Sequence, residues 1–80
     1  MKYSEIKSII DSFLENTLEI PKENIFPNAL LKDDIGLSSM DGIEIRLFLE
    51  KDFGIKVSRD EMLEIKTLAD LYSLIQDKTK

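Results

Sequence analysis

The stretch that decides the reading is Asp34-Ile35-Gly36-Leu37-Ser38-Ser39-Met40-Asp41-Gly42-Ile43-Glu44-Ile45. A glycine turn leads into a serine pair, and an apolar, acid-started helix follows at once. Ser38 with Asp41 three residues later fits a capping pair, the residue types that satisfy the free N–H groups of a first helical turn. The spacing therefore predicts a helix opening at Ser39 with a serine hydroxyl displayed at its N-terminus among carboxylates. Helix capping is the simplest reading of the serine pair, and Gly42 is the detail it does not explain. The chain has no histidine, so neither serine has the usual base of a nucleophilic triad beside it. A serine so placed is better suited to modification by another enzyme than to catalysis. Gly42 has two readings: it is tolerated in the first turn, or its bare backbone leaves room for an attached group or an approaching partner.

Outward from this stretch the charge is uneven. The chain of 80 residues has 11 Lys and Arg against 16 Asp and Glu, a formal net charge of −5. Residues 33–52 hold six acids (Asp33, Asp34, Asp41, Glu44, Glu50, Asp52) against Arg46 and Lys51, so nearly all the excess surrounds the serines. This argues against a nucleic-acid ligand, which needs a basic footprint, and for a basic protein partner. With no cysteine, disulfides and thiolate metal sites are excluded. Counted from Asp33, the third and fifth positions of an EF-hand would be Ile35 and Leu37, which are not ligands. No P-loop or dinucleotide-type glycine run is present. No apolar run reaches the ~20 residues of a membrane span, and Met1-Lys2-Tyr3-Ser4-Glu5 runs straight into an amphipathic pattern rather than an apolar leader. A soluble, cytoplasmic, monomeric protein of one domain, residues 1–80, is expected.

The helical reading extends in both directions. Tyr3, Ile6, Ile9, Ile10, Phe13, Leu14 and Leu18 recur at i, i+3, i+4, i+7, predicting a first helix from Tyr3 to Leu18. Between Glu19 and Leu37 Pro21, Pro27 and Gly36 break the pattern; Ile20, Ile25, Phe26, Leu30, Leu31 and Ile35 are expected to pin this long loop to the core. The second helix is expected from Ser39 to Lys51 or Asp52, with Gly54 as its C-terminal cap. Ser58 with Glu61 is a capping box for a short third helix through Glu64, and Thr67 with Asp70 opens the last, whose tail Asp77–Lys80 is expected to fray. The fold class is all-α, a small four-helix bundle with a long first loop and a short third helix. Ile6, Ile10, Phe13, Ile45, Phe48, Leu49, Leu71 and Ile75 are expected to face inward. The second helix carries a further stripe, Met40, Ile43 and Leu47, bordered by Glu44, Glu50 and Lys51. Either this helix is buried on two sides, or the stripe is partly exposed and receives partners.

The segment Gly36–Ile45 resembles the phosphopantetheine attachment motif of acyl carrier proteins. The likeness extends through the first helix, the loop Leu31–Gly36, the exit Phe53-Gly54-Ile55-Lys56-Val57 and the ending Ile65–Leu71. It implies a carrier, not an enzyme, with 4′-phosphopantetheine on Ser39. A Mg²⁺-dependent holo-carrier-protein synthase (a phosphopantetheinyl transferase) would transfer the arm from coenzyme A, and acyl- or aminoacyl-transferring enzymes would be the later partners. Met40, Asp41, Ile43, Glu44, Leu47 and Glu50 match the positions with which the family meets them. Ser39 is preferred to Ser38 because Met40 follows it where the family has leucine and Gly36 stands three before. Ser38 stands where the family usually has aspartate, Phe48 where a small residue is common, and Arg46 and Lys51 add positive charge. These departures direct expectation towards a specialised polyketide, aminoacyl or dedicated acyl carrier as much as a fatty-acid one. An unmodified helical interaction module is the alternative from another class.

Overall fold

The computed structural model describes residues 1–80. Its elements in chain order are α1 (Tyr3–Asn16), a 3₁₀ turn (Lys22–Asn24), α2 (Ser39–Phe48) continuing into a π-turn (Leu49–Phe53), α3 (Arg59–Glu64) and α4 (Leu68–Lys78). The four α-helices and the short third helix are as expected. Three of the helix starts are set locally. Ser38 with Asp41, Ser58 with Glu61 and Thr67 with Asp70 each form a reciprocal capping box, the hydroxyl accepting from the third residue's N–H and that residue's carboxylate accepting from the cap's N–H.

The helix ends depart from expectation. α1 stops at Asn16 rather than Leu18. Glu19 takes a left-handed backbone, φ 56°, which turns the chain so that the Ile20 N–H reaches the Leu14 carbonyl at 3.0 Å. The second helical run reaches Phe53, but its last turn widens to π geometry before Gly54 closes it at φ 67°. α4 continues through Lys78 instead of fraying from Asp77; Lys78 Nζ lies 2.9 Å from Glu61 Oε2, tying its last turn to α3.

The core is built mainly from α1 and α4, which pack on each other, with α2 laid against them. Ile6, Ile10, Leu14, Ile45, Leu49, Leu68, Leu71, Tyr72 and Ile75 are essentially without solvent exposure. Phe13 and Phe48, expected inside, are only half-buried; their rings stack on each other with centroids 4.1 Å apart. Tyr72 is buried because its hydroxyl has an acceptor in Asp11, whose other oxygen takes Lys7 Nζ at 2.7 Å. Burial first, and the adjoining Asp11 carboxylate second, push the Tyr72 phenol well above its ordinary range.

The long loop is held by the core through Ile20, Ala29, Leu31 and Ile35, whereas Phe26 and Leu30 are exposed, against expectation. Backbone bonds also tie it to the start of α4: Leu31 N–H to Lys66 O at 2.9 Å, Leu68 N–H to Ala29 O at 3.0 Å and Ala69 N–H to Pro27 O at 2.9 Å. Leu30 and Thr67 form an isolated antiparallel bridge.

Two capping carboxylates make stability depend on pH. The Ser58 N–H first and Lys78 second hold Glu61 below its ordinary value, and the N–H groups of Thr67 and Lys66 hold Asp70 below its own. A depressed folded-state value gives stability that is complete above the unfolded value and lost as pH falls through the folded one. The melting temperature is therefore expected to drop on acidification below about pH 4, and Glu61→Gln with Asp70→Asn should flatten that drop. Equal acid slopes for variant and wild type would remove the capping carboxylates from the account.

Candidate functional site

The loop delivers the serine pair through a sequence of local constraints. The Asp34 carboxylate accepts from the Leu30 N–H at 2.8 Å, the Leu37 N–H bonds Leu31 O at 3.0 Å, and Gly36 between them takes φ +76°, a conformation side-chain-bearing residues avoid. The Asp34 carboxylate thus helps to shape this turn.

The two serines differ in their bonding. The Ser38 Oγ accepts from the Asp41 N–H at 3.2 Å, and Asp41 Oδ2 accepts from the Ser38 N–H at 3.0 Å. The Ser39 hydroxyl is exposed and takes part in no side-chain hydrogen bond. It sits on the first residue of α2, where N–H groups lack intrahelical acceptors and the helix dipole favours an anion. A Cβ added at Gly42, one turn on, would meet nothing within 4 Å, so the space over that turn is open. No side chain is forced to be absent there: the glycine is compatible with an attached group but not required by crowding.

Beyond Gly42 the second apolar stripe lies in solvent. Met40, Ile43 and Leu47 are 67%, 50% and 62% exposed, so α2 is not buried on two sides. Glu44 and Glu50 are exposed and Asp41 half-buried. None of the three enters an ion pair; the chain's pairs are Lys7–Asp11, Lys78–Glu61 and Lys80–Asp77. The result is an apolar strip edged by carboxylates that have no cationic partner in the chain. Sequence reading missed the neighbouring cleft between α2 and α3. Its walls include Ile43, Arg46, Leu47, Glu50, Lys56 and Val57, and Arg46 Nε–H donates across it to the Val57 carbonyl at 2.9 Å. The signal available was Arg46 seven residues after Ser39, on the same helix face; its use depends on where α3 packs.

A displayed, unbonded hydroxyl at the head of a helix with an exposed apolar strip is accessible to modification by another enzyme. Comparison with known proteins agrees. Residues 8–75 match the family described as phosphopantetheine attachment site. The chain is 34% identical over 73 residues to an acyl carrier protein of Buchnera aphidicola, covering 91% of each chain. It is 31% identical over 74 residues to one from Thermotoga maritima, covering 92% of this chain and 91% of the relative. It is 28% identical over 78 residues to one from Thermosynechococcus vestitus, covering 98% and 96%. The chain belongs to the acyl carrier protein family, and is a carrier rather than a catalyst. The group this family attaches is 4′-phosphopantetheine. The helix-start hydroxyl and free N–H groups described above fit its phosphodiester.

Proposed function

We propose that the chain is a single carrier domain over residues 1–80, that Ser39 bears the 4′-phosphopantetheine, and that it serves a specialised acyl pathway in the cytoplasm. The observation that carries the assignment of Ser39 is the division of labour between the serines: Ser38 Oγ is committed to the Asp41 N–H, leaving Ser39 Oγ free. When bound, the group supplies a terminal thiol that holds acyl cargo as a thioester. The chain's own residues display and present. The first-turn N–H groups would receive the phosphodiester, and the absence of histidine leaves deprotonation of the hydroxyl to the synthase. Met40, Ile43 and Leu47 offer an apolar contact, with Asp41, Glu44 and Glu50 around it to orient a basic partner. The specialised subtype is supported by Arg46 on α2, by Lys51 in the π-turn that continues it, and by Phe48, stacked on Phe13, at a position where the family commonly has a small residue.

Incubation with coenzyme A, Mg²⁺ and a broad-specificity phosphopantetheinyl transferase should add the phosphopantetheine mass once per chain. A chain that no competent synthase modifies would instead be an unmodified helical interaction module. Electrostatic steering has its own test. Glu44→Lys with Glu50→Lys should slow modification with the helical circular dichroism intact, and salt should slow the wild type as screening shortens to about 8 Å at physiological ionic strength. A rate indifferent to both would leave recognition to the apolar strip alone.

A further inference from the structure

The cleft between α2 and α3, which begins one turn along the helix from the serine at Ile43, has a chemistry that the carrier role does not require. Ser39, Ile43 and Arg46 stand at i, i+4 and i+7 on α2, so they follow one another along one face, and Glu50 follows in the π-turn that continues the helix. Arg46 lies about 10 Å along the axis from Ser39, at 1.5 Å per residue. The arm is longer than this separation, so cargo at its end would reach Arg46 with the arm folded over α2 past Ile43. The cleft there has a volume of about 530 Å³, within the range of small-ligand sites.

Its polar groups are not balanced. The Arg46 Nε is fixed by the Val57 carbonyl at 2.9 Å, which holds the guanidinium plane and leaves its two terminal NH₂ groups unused. No carboxylate lies within ion-pair distance of Arg46 or Lys56. Of the two acids lining the cleft, Glu61 is answered by Lys78 at 2.9 Å and by the Ser58 N–H at 3.0 Å. Only Glu50 is unpaired, one turn beyond Arg46, so two free cations face one free carboxylate. In a chain of net charge −5 this is a local reversal of sign. An alkyl cargo would gain contact with Ile43, Leu47 and Val57 but leave both cations unmet. A cargo whose far end is a carboxylate would meet an arginine already oriented for it.

We propose that Arg46, supported by Lys56, makes this cleft selective for short acyl groups that end in a carboxylate. The proposal rests on attachment at Ser39. It is tested by charging the carrier from glutaryl-coenzyme A and, separately, from hexanoyl-coenzyme A, with intact mass verifying each load. ¹⁵N spectra of the charged proteins follow Arg46 Nε–H and the amides of Lys56 and Val57, and thioester hydrolysis is timed. The glutaryl form should shift these signals, whereas the hexanoyl form should not. For the glutaryl cargo, Arg46→Gln should shorten the thioester lifetime about two- to fivefold, the range of an exposed charge pair, and Lys56→Gln, at an exposed position that leaves the fold intact, should shorten it less; neither should change the hexanoyl lifetime. Successful charging with the same spectra for both cargoes and a glutaryl lifetime unchanged by Arg46→Gln would overturn the proposal while leaving the carrier reading standing. Failure of mass gain in the wild type would overturn the carrier reading, and this proposal with it.

Discussion

Replacing Ser39 by alanine is expected to abolish uptake of the phosphopantetheine arm, while Ser38→Ala is still converted. The two residues are adjacent and both exposed, so proximity to the helix start does not separate them. Bonding does. Ser38 Oγ accepts the Asp41 N–H at 3.2 Å, and losing such a cap costs about 0.5–2 kcal/mol. Ser38→Ala should therefore melt earlier, by roughly 4–8 °C per kcal/mol in a domain of this size, yet gain the full mass. Ser39→Ala should melt close to the wild type and gain nothing. The opposite pattern, Ser39→Ala converted and Ser38→Ala inert, would move the attachment point by one residue.

The second large effect concerns the core. Ile10 is 1% exposed in the middle of α1, among the residues that meet α4. Ile10→Ala should cost about 2–5 kcal/mol, the removed methyl groups plus the cavity they leave. A chain this short has a total stability of roughly 4–12 kcal/mol, so the variant should lose a large share of it and denature at a clearly lower midpoint. Chemical denaturation monitored by circular dichroism measures it directly. Phe13→Ala is expected to cost less than a fully buried phenylalanine would, because Phe13 is half-buried and its ring lies on Phe48 rather than deep among aliphatic side chains. An Ile10→Ala midpoint equal to wild type would place the α1–α4 seam elsewhere.

Helix starts were legible in the sequence because a capping box is a contract between residues three apart. Ser58 with Glu61 and Thr67 with Asp70 could be read without knowing what the helices pack on. Helix ends were not, because distant partners set them. Lys78 stays helical while paired with Glu61, seventeen positions earlier. Tyr72 goes inside by virtue of Asp11, and no local pattern shows that pairing. Periodicity placed Phe13 and Phe48 on the correct faces but not at the correct depth. At the site, the serine motif and the α2 stripe were readable from spacing, whereas the cleft needs α3 beside α2, and the six residues of α3 say little about where it docks.

The backbone bond from Leu31 to Lys66, with the Leu30–Thr67 bridge beside it, closes a ring of chain. α2, the π-turn and α3 lie inside that ring; α1 and α4 lie outside it. That closure carries the entropy of a long loop, but it does not hold the enclosed segment alone: Ile45 and Leu49 sit in the same core as α1 and α4, Phe48 stacks on Phe13 and Glu61 pairs with Lys78. The serine, the apolar strip and the cleft therefore ride on a segment pinned both at its neck and along its inner face, and loosening the neck alone should leave their spacing intact.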